Sequence, residues 1–258
     1  MTTTLLQSEF EDDFTYLLGS DNNQVDYMLA VIRQLMYHEQ RAYKGEVLSN
    51  FHIADFGMSE DNIEIVKEFV LRYSGKPATI IPIPDDGKQK GPAWLKKPTA
   101  LLNCTSDRVL WVDNDVEVRA NMRASVQRYT DNLEKYHIGH CIAVTNDWYT
   151  GGINSGVIVK YGRPIVLAEW EAAPRHHPKQ RGDQEYLDCL MRGNEKYLKG
   201  IQFLDYSWNY QRLMIVAGYE YDEPKILHWT GPAGKRHIKR RIFPVLEQSW
   251  PLKDSVPF

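Results

Sequence analysis

The segment Arg108-Val109-Leu110-Trp111-Val112-Asp113-Asn114-Asp115 decides how this chain is read. Its unbroken apolar run predicts a strand buried on both faces, as in a parallel sheet covered by helices. Two carboxylates follow at the strand's carboxyl end. Strand side chains alternate, so Asp113 and Asp115 project to one side and offer oxygen ligands to one hard cation. Open α/β sheets bind their ligands at that end of the strands. Oxygen ligands favour Mg²⁺ or Mn²⁺, and a nearby imidazole tilts the choice toward Mn²⁺.

Upstream of this segment, strand and helix signals alternate. Phe14 to Leu18 is a short apolar run that ends in the polar loop Gly19-Ser20-Asp21-Asn22-Asn23, and Met28, Val31, Ile32, Leu35 and Met36 follow at helical spacing. The pattern repeats in Phe51 to Ala54, the turn Asp55-Phe56-Gly57, and a helix carrying Ile63, Val66, Phe69 and Val70 that Ser59 can cap. Thr79 to Ile83 is a further strand. Such alternation predicts an α/β fold: a mostly parallel, mixed sheet with helices on both faces. Between Pro82 and Pro98 no apolar period survives, which predicts a surface loop or lid, and Thr99 to Asn103 closes a short helix.

Downstream, strands are expected at Cys141 to Val144, Val157 to Lys160, Phe203 to Leu204 and Lys225 to Leu227, with a helix from Asp183 to Met191. Neither an internal repeat nor a low-complexity linker interrupts the chain, so residues 1–258 read as one domain. With 43% hydrophobic and 25% charged residues it can bury a sizeable core, which excludes a disordered or fibrous chain. A formal net charge of -3 argues against bulk nucleic-acid binding. Cys104, Cys141 and Cys189 are too scattered for a disulfide framework or a four-cysteine zinc site. The acidic N-terminus and the lack of a long apolar stretch add no secretory or membrane signal, and a cytoplasmic location is expected.

His228 stands at the end of an apolar strand, before Trp229-Thr230-Gly231-Pro232-Ala233-Gly234-Lys235, which reads as a Gly-rich turn ending in a cation. A histidine there can complete a metal shell, and the backbone amides with Lys235 can hold phosphate charge.

Taken together, these motifs resemble the metal-dependent nucleotide-sugar glycosyltransferases of family 8, the group of glycogenin and the bacterial lipopolysaccharide galactosyl- and glucosyltransferases. The likeness runs from about residue 14 to residue 235. Leu18 to Asn23 is similar to the family's Ala-Ala-Asp-Asp-Asn loop, which implies that Gly19, Asp21 and Asn23 meet the nucleoside. Asp113-Asn114-Asp115 matches its Asp-x-Asp, implying that both carboxylates bind Mn²⁺ (or Mg²⁺) and that Asp113 and Asn114 approach the nucleotide sugar. Asn154-Ser155-Gly156-Val157 looks like its Asn-Ala-Gly-Val beside the donor sugar; on backbone grounds alone, it reads as a tight turn entering a strand. Asp183-Gln184 resembles the pair near the anomeric carbon, and Leu204-Asp205 with Asn209 a later segment. His228, Gly231 and Lys235 resemble the closing His, Gly and Lys. Lys96 or Lys97 stands where the family has an arginine near the diphosphate.

The resemblance implies the GT-A nucleotide-diphosphate-sugar transferase fold. Residues 14–115 would bind the donor and residues 116–235 the acceptor, and 236–258 form a basic, aromatic tail suited to peripheral contact with an anionic membrane surface. It implies a retaining, Mn²⁺-dependent transfer of a hexose from a UDP-sugar to a glycan or lipid-linked acceptor. Asn154, Asp183 and Gln184 are the catalytic candidates, and Asp113, Asp115 and His228 the metal ligands. Three alternatives stay open. An inverting enzyme would use Glu185 or Asp147 as base; a binding module would hold the nucleotide sugar without turnover. A haloacid-dehalogenase-type phosphotransferase would use Asp113 as nucleophile, though Glu117 occupies the position where those enzymes want Thr or Val.

Overall fold

The computed structural model describes residues 14–83, 93–176, 182–193 and 195–249. The N-terminal part alternates as expected: β1 (Phe14–Ser20), α1 (Val25–Ala42), β2 (Asn50–Asp55), α2 (Glu60–Ser74) and β3 (Thr79–Pro82). Ser59 does cap α2, its hydroxyl accepting from Asn62 N at 3.4 Å, and the helix ends at Gly75, whose φ of 71° suits a residue without Cβ. Residues 84–92 of the expected lid lie outside the described residues. Its end is ordered and helical: a 3₁₀ turn, Ala93–Lys96, leads into α3 (Lys97–Asn103), with Pro98 in the first turn. Thr99 to Asn103 finishes this helix as expected, and Pro98 is tolerated because it stands at the helix start. β4 (Arg108–Val112) follows.

After the Asp-x-Asp come β5 (Val116–Val118), α4 (Met122–Lys135), β6 (Cys141–Asn146), β7 (Ile153–Tyr161), α5 (Val166–His176), α6 (Asp183–Gly193), α7 (Glu195–Leu198) and β8 (Ile201–Phe203). A 3₁₀ turn, Tyr206–Trp208, leads to β9 (Tyr210–Gln211), α8 (Arg212–Val216) and β10 (Ile226–His228). The chain then forms α9 (Gly231–His237), a π-helical turn (Ile238–Ile242) and α10 (Phe243–Ser249). Several expectations are corrected here. Asn154 to Gly156 lie inside β7, not in a turn before it, and the Gly-rich turn is the start of α9. Leu204 follows β8, whereas His228 ends its strand as expected, the last residue of β10.

Seven strands form the main sheet in the order β3-β2-β1-β4-β7-β6-β8, and only β7 runs against the rest. Hydrophobic side chains alternate across it. Phe14, Tyr16, Leu18, Leu110 and Val112 pack with α1, α2 and Val126 of α4 on one face. Leu17, Val109 and Trp111 pack with Leu101 of α3, Trp170 of α5 and Leu187 of α6 on the other. Helices therefore cover both faces. A second sheet, β5-β10-β9, stands at the carboxyl end of β4.

One buried polar cluster ties the first face together. Glu39 of α1 is fully buried, and its carboxylate accepts from Leu48 N (2.8 Å), Ser49 N (3.2 Å) and the Ser49 hydroxyl. Arg123 Nη1 adds a bond to Ser49 Oγ at 3.3 Å. Glu39→Ala leaves these donors without an acceptor, each costing about 1–3 kcal/mol when buried. Urea unfolding should show a loss of at least about 2 kcal/mol, and an unchanged midpoint would show that Glu39 is not holding this connection.

Candidate active site

Three remote stretches of chain meet at the carboxyl end of β4. Asp113 leaves the strand with its N–H donating to Gly156 O of β7 at 2.8 Å. Its Oδ1 accepts from Trp111 Nε1 (2.7 Å) and pairs with Lys97 Nζ (3.0 Å). Lys97, in the first turn of α3, is buried and reaches Asp183 Oδ2 at 3.0 Å and Ser155 O at 2.9 Å as well. The Ser155 hydroxyl donates to the same Asp183 oxygen at 2.6 Å.

Asp115 meets His228 because β5 and β10 pair antiparallel with Val116 opposite His228. His228 Nε2 lies 3.1 Å from Asp115 Oδ1, and Nδ1 lies 2.9 Å from Asn209 Oδ1. Gly156 makes this approach feasible. A Cβ built on it would stand 2.1 Å from His228 Cε1, so the imidazole occupies the space a side chain would need. Gly19 of β1 serves similarly: its Cβ would fall 2.3 Å from the Phe56 ring and 2.9 Å from Trp111.

Ligand atoms of Asp113, Asp115 and His228 lie within 4.8 Å of one another, close enough to share one ion. Two carboxylates, Asp113 and Asp183, flank the buried Lys97 ammonium while Asp115 faces His228, so three acidic groups gather here around one lysine and one imidazole, a setting that suits a divalent cation. Two oxygen donors and one imidazole fit Mn²⁺. The protonation states follow the same balance. Burial raises the Asp113 carboxyl although Lys97 and His228 oppose it. For Lys97, burial works downward, but Asp113 and Asp183 win and the ammonium is held above its ordinary value. Burial likewise pulls His228 down, and Asp115 with Asp113 more than offsets it, so the imidazole is raised. Asp115 is pushed up by burial and brought below its usual range by His228.

Beside this cluster opens a cavity of about 380 Å³, lined among others by Gly19, Asp21, Gln24, Asn114, Trp111 and Lys235. Asn114 Nδ2 donates to Gly19 O at 2.8 Å, while its Oδ1 is buried with no hydrogen-bond partner among the described residues. Lys235 sits one helical turn after Gly231 on α9 and donates to Gln24 Oε1 at 3.2 Å. Gly231 has a φ of 76°, which favours glycine at this helix start.

Not every expected residue arrives. Asn23 is exposed and absent from the cavity lining, its N–H held by Asp21 Oδ1 at 2.9 Å. Gly231 is not in the lining either. Gln184 follows Asp183 at the start of α6, half-buried, without a side-chain hydrogen bond among the described residues. Asp205 turns away to cap the Tyr206–Trp208 turn and to accept from Tyr221 OH at 3.1 Å. Asp147, the alternative base, is engaged by Thr150 and by Asn154 Nδ2 at 3.2 Å. Ser155, Phe56 and Trp111 were missed. Trp111 looked like a core residue, and only its place two positions before Asp113 hinted that its indole N–H meets that carboxylate.

At the level of sequence the chain matches no protein family and no curated protein. Solved structures match it closely in shape. The galactosyltransferase LgtC, in complex with donor and acceptor sugar analogs, superposes with a TM-score of 0.62 at 18% identity, covering 94% of this chain and 97% of that one. The chain has the GT-A fold of nucleotide-sugar glycosyltransferases. The glycosyltransferase GlyE of Streptococcus pneumoniae TIGR4 matches at a TM-score of 0.58 and 14% identity over 84% of this chain and 54% of its own. Mouse xyloside xylosyltransferase 1 matches at 0.53 and 14% over 83% and 96%. The same architecture sets aside the dehalogenase-type fold.

Two outcomes test the geometry. Gly156→Ala forces the imidazole off Asp115, so Mn²⁺ affinity measured by electron paramagnetic resonance should fall at least about tenfold while the circular-dichroism spectrum is kept; unchanged affinity would refute the metal assignment of His228. The second concerns pH. With His228 raised, its charged pairing with Asp115 is fully present below the ordinary value of 6.5 and is lost as pH rises through the raised one. In chelator, the melting-temperature advantage of wild type over His228→Gln should therefore shrink from about pH 6 to about pH 9. A constant difference would contradict the pairing.

Proposed function

We propose that this protein is a hexosyltransferase that uses a UDP-sugar and Mn²⁺, or Mg²⁺, and delivers the sugar to a glycan or lipid-linked acceptor with retention of configuration. The observation that carries this reading is the convergence of Asp113, Asp115 and His228 beside a cavity whose polar lining suits a nucleoside diphosphate. Residues 14–115 supply most of that lining. Gly19, Asp21 and Asn114 would meet the nucleoside. Asn23 and Gly231 join them only if the loops move on binding.

Asp113, Asp115 and His228 would hold the cation, which supplies neutralising charge to the diphosphate leaving group. Lys235, held by Gln24, stands in the cavity lining as a second cation for the same charge. Asp183 is fixed by Lys97 and Ser155 and offers its carboxylate to sugar hydroxyls, and Asn154 and Gly156 shape the wall against which the sugar lies. Gln184 would steady the positive charge that develops at the anomeric carbon. Under retention the acceptor approaches from the side the diphosphate leaves, and the departing phosphate takes its proton. Asp147 is committed to its own loop and Asn154, which counts against it as the carboxylate base of an inverting course.

Residues 116–235 would receive the acceptor. The C-terminal stretch packs Ile238 and Ile242 on Tyr27 and turns Arg236, Lys239, Arg240 and Arg241 to solvent, a basic face that suits peripheral contact with an anionic membrane from the cytoplasm. Trp250 and Phe258 of that tail lie outside the described residues. Among the described residues no helix is long and apolar enough to cross a membrane.

UDP release across a panel of nucleotide sugars, with Mn²⁺ and with chelator, tests the reading directly. Metal-dependent release from one donor is expected, abolished in Asp115→Ala and lowered in Gln184→Ala with metal binding intact. Nucleotide binding without release from any donor, acceptors included, would mean a binding module instead.

A further inference from the structure

The hydrogen-bond chain behind His228 has no freedom in its direction. It starts at Asp147, whose carboxylate only accepts, so the atom of Asn154 that faces Asp147 Oδ2 at 3.2 Å must be Nδ2. Gly156 N–H only donates, so the other atom of Asn154, 3.0 Å away, must be Oδ1. Asn209 then has to present Nδ2 to Asn154 Oδ1 at 2.8 Å, and the same amide reaches Thr145 Oγ1 at 2.9 Å. Its Oδ1 is left facing His228 Nδ1 at 2.9 Å. An amide oxygen only accepts, so Nδ1 must carry a hydrogen; Nε2 faces the Asp115 carboxylate at 3.1 Å, a second acceptor, so a cation bound there takes the place of the Nε2 hydrogen and meets the lone pair.

We propose that Asn209 is a positioning residue: it fixes His228 in the Nδ1–H tautomer and so presents the Nε2 lone pair to a divalent cation shared with Asp113 and Asp115. This rests on the metal reading given above, and it assigns the tautomer to a residue that touches neither metal nor substrate. Asn209 is fully buried, so water cannot substitute for it. Its two donated bonds hold the amide plane, and without them Oδ1 could rotate from the ring. A neutral histidine with Nε2–H instead would point a hydrogen at the cation site, and the third ligand would be lost.

Imidazole ¹⁵N resonances, recorded at a concentration of diamagnetic Mg²⁺ just sufficient to saturate wild type, read which ring nitrogen keeps its hydrogen, and Mn²⁺ titration followed by electron paramagnetic resonance reads the affinity. Wild type should show the Nδ1–H form. Asn209→Leu should gain the Nε2–H form and lose about 10- to 100-fold in Mn²⁺ affinity, the usual range for partners of metal-bound histidines. Asn209→Asp keeps an acceptor for Nδ1 but loses both donated bonds, so it should lose less Mn²⁺ affinity than Asn209→Leu without matching wild type; simple damage to the core, worse for a buried carboxylate than for leucine, would reverse that order. If Asn209→Leu keeps the Nδ1–H form, or changes tautomer without losing affinity, the proposal is overturned. Should wild type take up no Mn²⁺, the proposal falls with the metal reading. Mn²⁺ uptake without UDP release would count against the transferase reading alone.

Discussion

The active-site end of this fold is organised around one buried ammonium. Lys97 Nζ lies 3.0 Å from both Asp113 and Asp183, which come from the end of β4 and the start of α6. Without it two carboxylates would face each other in a poorly solvated space, and removing one partner of such a group costs about 3–5 kcal/mol. Lys97 also explains why α3 starts where it does. The 3₁₀ turn Ala93–Lys96 delivers the side chain inward under Trp111, whose ring it approaches to 5.5 Å. One cation thereby orders two carboxylates from separate elements, the one that leaves β4 and the one that opens α6.

The antiparallel strand β7 is the second constraint. A sheet that stayed parallel across β4 would bring another strand's carboxyl end next to Asp113. β7 instead brings its opening residues there, and with them Asn154, Ser155 and Gly156. Each does something different within three positions: Asn154 anchors the amide chain, Ser155 grips Asp183, and Gly156 yields its side-chain volume to His228. Alternation along the strand allows this, since neighbouring residues face opposite sides while the glycine lets the imidazole come against the backbone itself.

Much of this was legible in the sequence where the signal is local. Val109 to Val112 followed by Asp113 and Asp115 announces a buried strand ending in two carboxylates, and the strands and helices around it follow from periods of two and about three and a half residues. The closeness of Asp113, Asp115 and His228 was legible because residues of ligating type stand at strand ends. What escaped was decided by long-range packing. Asn154 to Gly156 reads as a turn until β4 is known to lie beside it, and Lys97 reads as part of a loop until Asp183 is folded against it. α4 and α5 carried readable signals, the cap at Asn121 and the spacing of Val166, Trp170 and Ala173, yet a polar surface and Pro174 obscure them. Asn23 shows the reverse, since motif likeness gave it a place by the nucleoside and the loop leaves it exposed outside the cavity lining, its N–H held by Asp21.

The C-terminal stretch is better understood as part of the site than as an appendage. A loose turn after His228 would leave Lys235 free to sample solvent. Here α9 continues into the π-helical turn, and Ile238 and Ile242 bury against Tyr27 of α1, with Phe243 and Leu246 around them. Lys235 lies between that anchor and His228, so it cannot swing far from Gln24 and Asp115. Trp229 stacks on His237 at 3.7 Å and closes the same turn from the other side. Gly234 is required within it, because a Cβ would collide with the Trp229 carbonyl. The apolar side of this stretch is thus spent on the domain, and its basic residues are what remain for any surface the protein meets. Charge, not insertion, would therefore govern such contact, and it would weaken with salt.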